Sequence, residues 1–131
     1  MRPNTLVEAI ERIRGGEPQD VALVEFVDSF LSADSAGQYQ SIEQEPEITD
    51  DARLDALVGA IAEYLAKQHR LGRVPKWVYG AKRRLSEPWF TTSSTEPAMK
   101  EYLAFASPAE FRSRNIFTEE RPLRRARAKV A

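Results

Sequence analysis

The strongest constraint on the fold is a run of apolar residues between positions 50 and 69 that repeats with the period of an α-helix. The run matches the helical spacing i, i+3, i+4, i+7, and its members are Leu54, Leu57, Val58, Ile61, Ala62 and Leu65. Carboxylates crowd its start and basic residues its end, which is the order that a helix dipole favours. Thr49 or Asp50 is predicted to cap the helix, and Gly72 to stop it. We expect this helix to be the spine of the core.

Shorter helices are predicted on both sides of this spine. Thr5 and Glu8 form a capping box at the start of a helix that runs to Arg14. Ser107 and Glu110 form a second capping box, with Pro108 at the first helical position, which predicts that a new helix begins there. The other predicted helices start at Asp20, at Gln38, at Pro97 and at Thr118.

The absence of strand signals completes the prediction of fold class. No stretch alternates with a period of two, and no hairpin dipeptide of the Asn-Gly kind occurs. We therefore predict an all-α fold with five to seven helices, several of them short. It is expected to form a single compact helical domain over residues 1–131, with 118–131 as a flexible basic tail.

Charge divides the chain into an acidic half and a basic half. Residues 1–66 carry 4 Lys or Arg against 14 Asp or Glu, and residues 67–131 carry 15 against 6, so net charges of −10 and +9 sum to −1. Such a chain neutralises itself by pairing its halves or by binding partners of opposite charge. The sequence leaves both alternatives open.

The residue types present argue against several kinds of active site. The chain has no cysteine and one histidine, His69, which leaves no thiolate site, no histidine zinc cluster and no Ser-His-Asp triad with a histidine to spare. No glycine-rich phosphate loop or nucleophile elbow occurs. We expect no enzyme activity, no metal and no cofactor. The N-terminus lacks a signal-peptide pattern and no apolar run is long enough to span a bilayer, which predicts a cytoplasmic protein without a membrane partner.

Two groups of residues are candidates for binding a protein partner. The first is the segment Phe111–Phe117, in which Arg112, Arg114 and Asn115 lie among apolar residues. Its arginines are suited to grip phosphate or carboxylate groups, or else to pair with the acidic half while the apolar residues anchor the core. The second group consists of large aromatic residues, which either anchor a partner or pack against the side of the helical bundle. Its members are Trp77, Trp89 and Phe90.

The C-terminal basic run is a candidate for contacts with nucleic acid. If it is helical, Arg121, Arg124 and Arg125 lie on one stripe of the helix. Arg127 belongs to the same basic run. Such binding requires the basic residues on one face with an element that enters a groove. Solvated or partner-paired charge is the alternative interpretation.

Several motifs occur together in a combination that resembles a known family. They are Ala62-Glu63-Tyr64-Leu65-Ala66, Pro75-Lys76-Trp77, Pro88-Trp89-Phe90 and the C-terminal Ser-Pro-x-x-Phe-Arg-x-Arg-Asn-x-Phe of residues 107–117. The set resembles short bacterial proteins, over roughly residues 22–125. These proteins are similar to those encoded beside predicted nucleotidyltransferases in arrangements that look like toxin–antitoxin pairs.

The resemblance implies a non-catalytic, antitoxin-like protein that regulates a nucleotidyltransferase-type partner. It supplies no catalytic residues. The alternative, from a different class of function, is a small nucleic-acid-binding autoregulator that uses the basic C-terminal half.

Overall fold

The structure, a computed structural model, describes residues 2–123, which contain six α-helices, two short 3₁₀-helices and two strands of two residues each. The prediction of an all-α fold with five to seven helices is confirmed. Contacts divide the described chain into two units, residues 2–47 with Leu123 and residues 48–122. The single domain predicted for 1–131 stays a prediction. None of the described helices is long and apolar enough to cross a membrane.

The first unit contains three helices that contact one another: α1 (Leu6–Arg14), α2 (Gln19–Ser32) and α3 (Ser35–Glu43). The predicted cap of α1 is confirmed, because the side chain of Thr5 accepts a hydrogen bond of 3.0 Å from the N–H of Glu8. Helix α3 begins before the predicted Gln38, because the carboxylate of Asp34 accepts from the N–H of Gly37 at 2.8 Å. The buried apolar residues of this unit include Leu6, Ile10, Phe26, Phe30 and Ile42.

Helix α4 (Ala52–Gln68) is the long helix that the apolar period predicts, and it is buried on most of its circumference. Its N-cap is Asp51 and neither Thr49 nor Asp50: the Asp51 carboxylate accepts from the N–H groups of Arg53 and Leu54, at 3.0 and 3.2 Å. The helix ends at Gln68 with His69 as its C-cap, four residues before the predicted stop at Gly72, and the residue after the cap, Arg70, is left-handed with φ of +52°. The remaining elements of the second unit pack around α4 or around one another.

Those elements are short. The 3₁₀-helices span Lys76–Tyr79 and Ala81–Arg83, and they are followed by β1 (Trp89–Phe90), α5 (Pro97–Ala106), α6 (Ala109–Arg112) and β2 (Ile116–Phe117). The two strands pair in parallel, with Trp89 opposite Ile116. We predicted no strands, and this was wrong, because strands of two residues are too short to show alternation.

Two local predictions near the C-terminus are also corrected. Ser107 does not cap α6; its hydroxyl instead accepts from the N–H of Thr118 at 2.8 Å and lies 2.9 Å from the carbonyl of the same residue. Residues 118–123 do not form the predicted helix: 118 and 119 are irregular, and bends and a turn follow at 120–123. Helix α6 is short and spans only Ala109–Arg112.

Candidate functional site

Arg114 is the centre of a buried polar cluster in the second unit. Its guanidinium donates to Glu63 Oε1 at 2.6 Å, and the two side chains are only 5% and 6% exposed. It also donates to the carbonyl of Val78 at 2.8 Å and to that of Glu110 at 2.6 Å. Arg114 thus ties α4, the first 3₁₀-helix and α6 together. Although it was a candidate for partner binding, the structure places it inside the protein.

The second oxygen of Glu63 is also occupied by donors. Tyr79 donates its hydroxyl to Oε2 at 2.9 Å, and Lys67 Nζ lies 2.9 Å from the same oxygen. Burial alone would raise the pKa of Glu63, but the hydrogen bonds from Lys67, Arg114 and Tyr79 outweigh burial and lower that pKa below its ordinary 4.5. Burial and the contact with Glu63 raise the pKa of Tyr79. A carboxylate held ionised in this way is suited to fix neighbouring elements, and it is a weak proton acceptor.

Asn115 connects the C-terminal motif to the Pro-Trp-Phe segment. Its backbone is left-handed, with φ of +65°, and its side-chain amide donates to the carbonyl of Leu85 at 2.7 Å. Its own carbonyl accepts from the N–H of Trp89 at 2.8 Å. The rings of Phe90 and Phe117 stack at a centroid distance of 4.9 Å. The structure therefore brings Asn115, Trp89 and Phe90 together, as parts of the scaffold that supports the strands.

Trp77 is half-buried and lies against a buried arginine. The guanidinium carbon of Arg83 is 4.8 Å from the centre of the Trp77 ring, and Arg83 is 1% exposed. Arg83 also donates to the carbonyl of Asp55 at 3.3 Å. Sequence reasoning missed this residue because it lies in a basic run that is typical of a solvated surface. Gly59 on α4 was the available signal, since it lets the Arg83 side chain come close to the helix.

The remaining predicted site residues are exposed or lie outside the described part of the chain. Arg112 and Arg121 are exposed, and within residues 2–123 neither forms a salt bridge. Arg124, Arg125 and Arg127 lie outside the described residues. Among the described residues, no group of three or more His, Asp or Glu side chains is placed to hold a metal ion.

Helix α5 carries an exposed apolar face that sequence reasoning missed. Met99, Tyr102 and Phe105 follow one another at intervals of three residues and are 39%, 51% and 80% exposed. Leu103, at 4% exposure, is the buried anchor of the same helix. An apolar spacing of three predicts a buried stripe as readily as an exposed one, so no pattern in the sequence distinguishes the two. We call Met99, Tyr102 and Phe105 the α5 face.

Comparison with known proteins found no match: no family model, no curated protein and no solved structure matches this chain. The resemblance to antitoxin-like proteins therefore stays a prediction.

Proposed function

We propose that this protein is a non-catalytic regulatory subunit that binds a protein partner through the α5 face. The observation that carries the proposal is the 80% exposure of Phe105, on the same helix face as the half-exposed Tyr102. Single exposed apolar residues are normal on protein surfaces, but three on one face of a ten-residue helix form a continuous stripe. Such stripes are typical of helices that dock into an apolar groove.

The energy available from this face is sufficient to matter in binding. Complete burial of one large apolar side chain contributes about 1.5–3 kcal/mol, and large aromatic residues are common among the residues that dominate interface energetics. Leu103 and the hydrogen bonds between Ser107 and Thr118 already hold the helix on its inner side. A partner therefore has only to cover a face that is already ordered, which lowers the entropic cost of binding.

The class of partner comes from the resemblance. The partner that we propose is a nucleotidyltransferase-type toxin whose gene lies beside that of this protein. The two proteins would meet in the cytoplasm of the same cell, and neutralisation of the toxin's activity is the proposed effect. Exposed positive charge at Arg112 would accelerate association with an acidic partner surface at low salt.

The test is co-expression with the product of the adjacent gene, which the proposal expects to be nucleotidyltransferase-like, followed by gel filtration. We expect a complex with the wild type that is lost with Phe105→Ser. Val21→Ser is the matched control, because Val21 is another exposed apolar helix residue, at 42% exposure, and should leave the complex intact. Absence of a complex with the wild type would rule out this partner. A wild-type chain that dimerises through Phe105 would identify a second copy as the occupant of the α5 face.

A second candidate function, nucleic-acid binding, is favoured by one stretch of the chain. Residues 67–84 contain seven Lys or Arg and no Asp or Glu, and all seven except the buried Arg83 are exposed. A surface of this kind binds phosphate backbones with an affinity that falls steeply as salt rises. A mobility shift with DNA from the protein's own promoter, measured at two salt concentrations, tests this function independently of the α5 face.

A further inference from the structure

The aromatic ring of Tyr79 is exposed in a basic part of the second unit. Tyr79 ends the first 3₁₀-helix and is 60% exposed, and its hydroxyl donates to the buried Glu63 at 2.9 Å. The tip of the ring is therefore held against the core, while its body is open to solvent. An aromatic surface that is already ordered loses little side-chain entropy when a ligand packs on it.

Three cations close to this ring have no acidic partner among the described residues. Lys76, Lys82 and Arg84 are exposed, and within residues 2–123 none of them forms a salt bridge. Lys76 precedes Tyr79 by three positions in the same 3₁₀-helix, so the two side chains lie on the same side of that helix. Arg84 lines the same cleft as Tyr79. We call Tyr79 and these three cations the Tyr79 surface.

The other charges near the ring are compensated or buried. Lys67 Nζ lies 2.9 Å from Glu63 Oε2 and 3.8 Å from Glu110 Oε2, and Arg114 is paired with Glu63 Oε1. These two cations and two carboxylates cancel one another. Arg83 is 1% exposed and adds nothing to the surface. The positive charge available to a ligand therefore comes from the three exposed cations alone.

We propose that the Tyr79 surface binds single-stranded nucleic acid, with one base stacked on the Tyr79 ring and the adjoining phosphates bound by the three cations. An aromatic ring beside basic side chains is the combination with which proteins hold single strands without reading their sequence. This inference deepens the second candidate function and rests on the same basic stretch, residues 67–84. It does not depend on the α5 face.

The geometry favours a single strand over a duplex. The major groove of a duplex takes an α-helix or a two-stranded β-ribbon, whereas the Tyr79 surface is built on 3₁₀-helices of four and three residues and on Arg84. The bases of a duplex are also stacked on one another, and only an unpaired base is free to stack on a protein ring.

The test is fluorescence anisotropy of the full chain with labelled oligo-U RNA, oligo-dT and a DNA duplex, each about twelve nucleotides long, at low and at high salt. We expect both single strands to bind more tightly than the duplex. Tyr79→Ala should weaken their binding about tenfold, because the stacked ring is lost. Tyr79→Phe is the matched control: it also removes the hydroxyl bonded to Glu63 but keeps the ring, so it should bind like the wild type.

A second pair of variants tests the cations. Lys76→Gln should reduce the slope of log affinity against log salt by about 0.7, the value of one phosphate contact on a single strand. Lys100→Gln removes an exposed positive charge on α5 and should leave the slope unchanged. Equal reductions by both substitutions would show diffuse attraction by surface charge and would overturn the inference.

The outcomes separate this inference from the second candidate function. Single strands that bind through Tyr79, without a mobility shift of the promoter duplex, would support the inference and reject promoter binding. A shifted promoter duplex, with single strands bound equally by the wild type and Tyr79→Ala, would overturn the inference and retain that function. Equal weakening by Tyr79→Ala and Tyr79→Phe would assign the effect to the lost hydroxyl and overturn stacking. Binding of no oligonucleotide at low salt would overturn both.

Discussion

Arg114 and Glu63 form a buried salt bridge of 2.6 Å between residues 51 positions apart in the chain. Arg112, two residues earlier in the same motif, is exposed. The two arginines of Phe-Arg-x-Arg-Asn therefore have different roles, because α6 ends between them and turns the second one inward. This difference separates the scaffold of the second unit from the surface that is available to partners.

The first prediction concerns the removal of each arginine. Arg114→Ala removes the buried partner of the Glu63 carboxylate and leaves that carboxylate to Lys67 and Tyr79, so we expect a loss of about 3 kcal/mol in the free energy of unfolding. Urea denaturation followed by circular dichroism measures the change. Arg112→Ala is the control and should change stability by less than about 0.5 kcal/mol. Equal effects of the two substitutions would contradict the burial of Arg114.

A double substitution separates the cost of an unpaired charge from the value of the pair. Replacing both partners, as in Glu63→Met with Arg114→Met, removes the buried carboxylate together with its buried partner and fills their space with apolar side chains. We expect the double variant to be more stable than Arg114→Ala. A double variant that is less stable than Arg114→Ala would show that Glu63 stabilises the fold through Tyr79 and Lys67 even without Arg114.

The third prediction concerns pH. The pKa of Glu63 is below its ordinary 4.5 in the folded protein, because donors outweigh the effect of burial. The stability that it contributes is therefore complete above pH 4.5 and is lost as the pH falls through the lower folded value. Glu63→Gln should flatten this acid limb of the stability curve, whereas Glu101→Gln, an exposed change on α5, should preserve it. Identical acid limbs for wild type and Glu63→Gln would contradict the assignment.

The fourth prediction uses the close approach at Gly59. A Cβ at this position would lie 3.0 Å from Arg83 Cβ and 3.3 Å from Arg114 Nε. Gly59→Ala should therefore destabilise the protein by about 1–3 kcal/mol, despite the better helix propensity of alanine. At Gly15 the nearest atoms would lie at 3.4 and 3.5 Å, so Gly15→Ala is the control and should be nearly neutral. Thermal unfolding that ranks Gly15→Ala below Gly59→Ala would refute this packing.

The fifth prediction separates the two contributions of Asn115. Asn115→Gly retains easy access to a φ of +65° but loses the hydrogen bond to Leu85, whereas Asn115→Ala loses both. We expect the alanine variant to be the less stable of the two in urea denaturation. The opposite order would contradict the importance of the left-handed backbone for the choice of residue at this position.

Helical periodicity predicted the fold well, and its failures have local causes. Helix α4 was recognised because its apolar residues cover several turns, and α1 because Thr5 and Glu8 define its start. Ser107 has the pattern of an N-cap, yet its hydroxyl bonds to Thr118, a tertiary contact that no local pattern encodes. The pairing of β1 with β2 depends on the turn at Asn115 and was invisible for the same reason.

The candidate site was less predictable than the fold. The sequence does not show whether a basic residue will pair with a carboxylate that is distant in the chain. Arg114 contacts Glu63 because α4 and α6 pack together. Likewise, Phe105 has the helical spacing of a core residue and is exposed because α5 is anchored through Leu103. Composition identifies such residues, and only the packing of the helices assigns them to the interior or the surface.

Hydrogen–deuterium exchange, with and without the nucleotidyltransferase-type partner that we propose, tests the central claim most directly. The account predicts that the amides of α5, Pro97–Ala106, exchange more slowly in the complex, because the partner covers Met99, Tyr102 and Phe105. A stable complex in which exchange slows elsewhere while the α5 amides keep their free rates would contradict it.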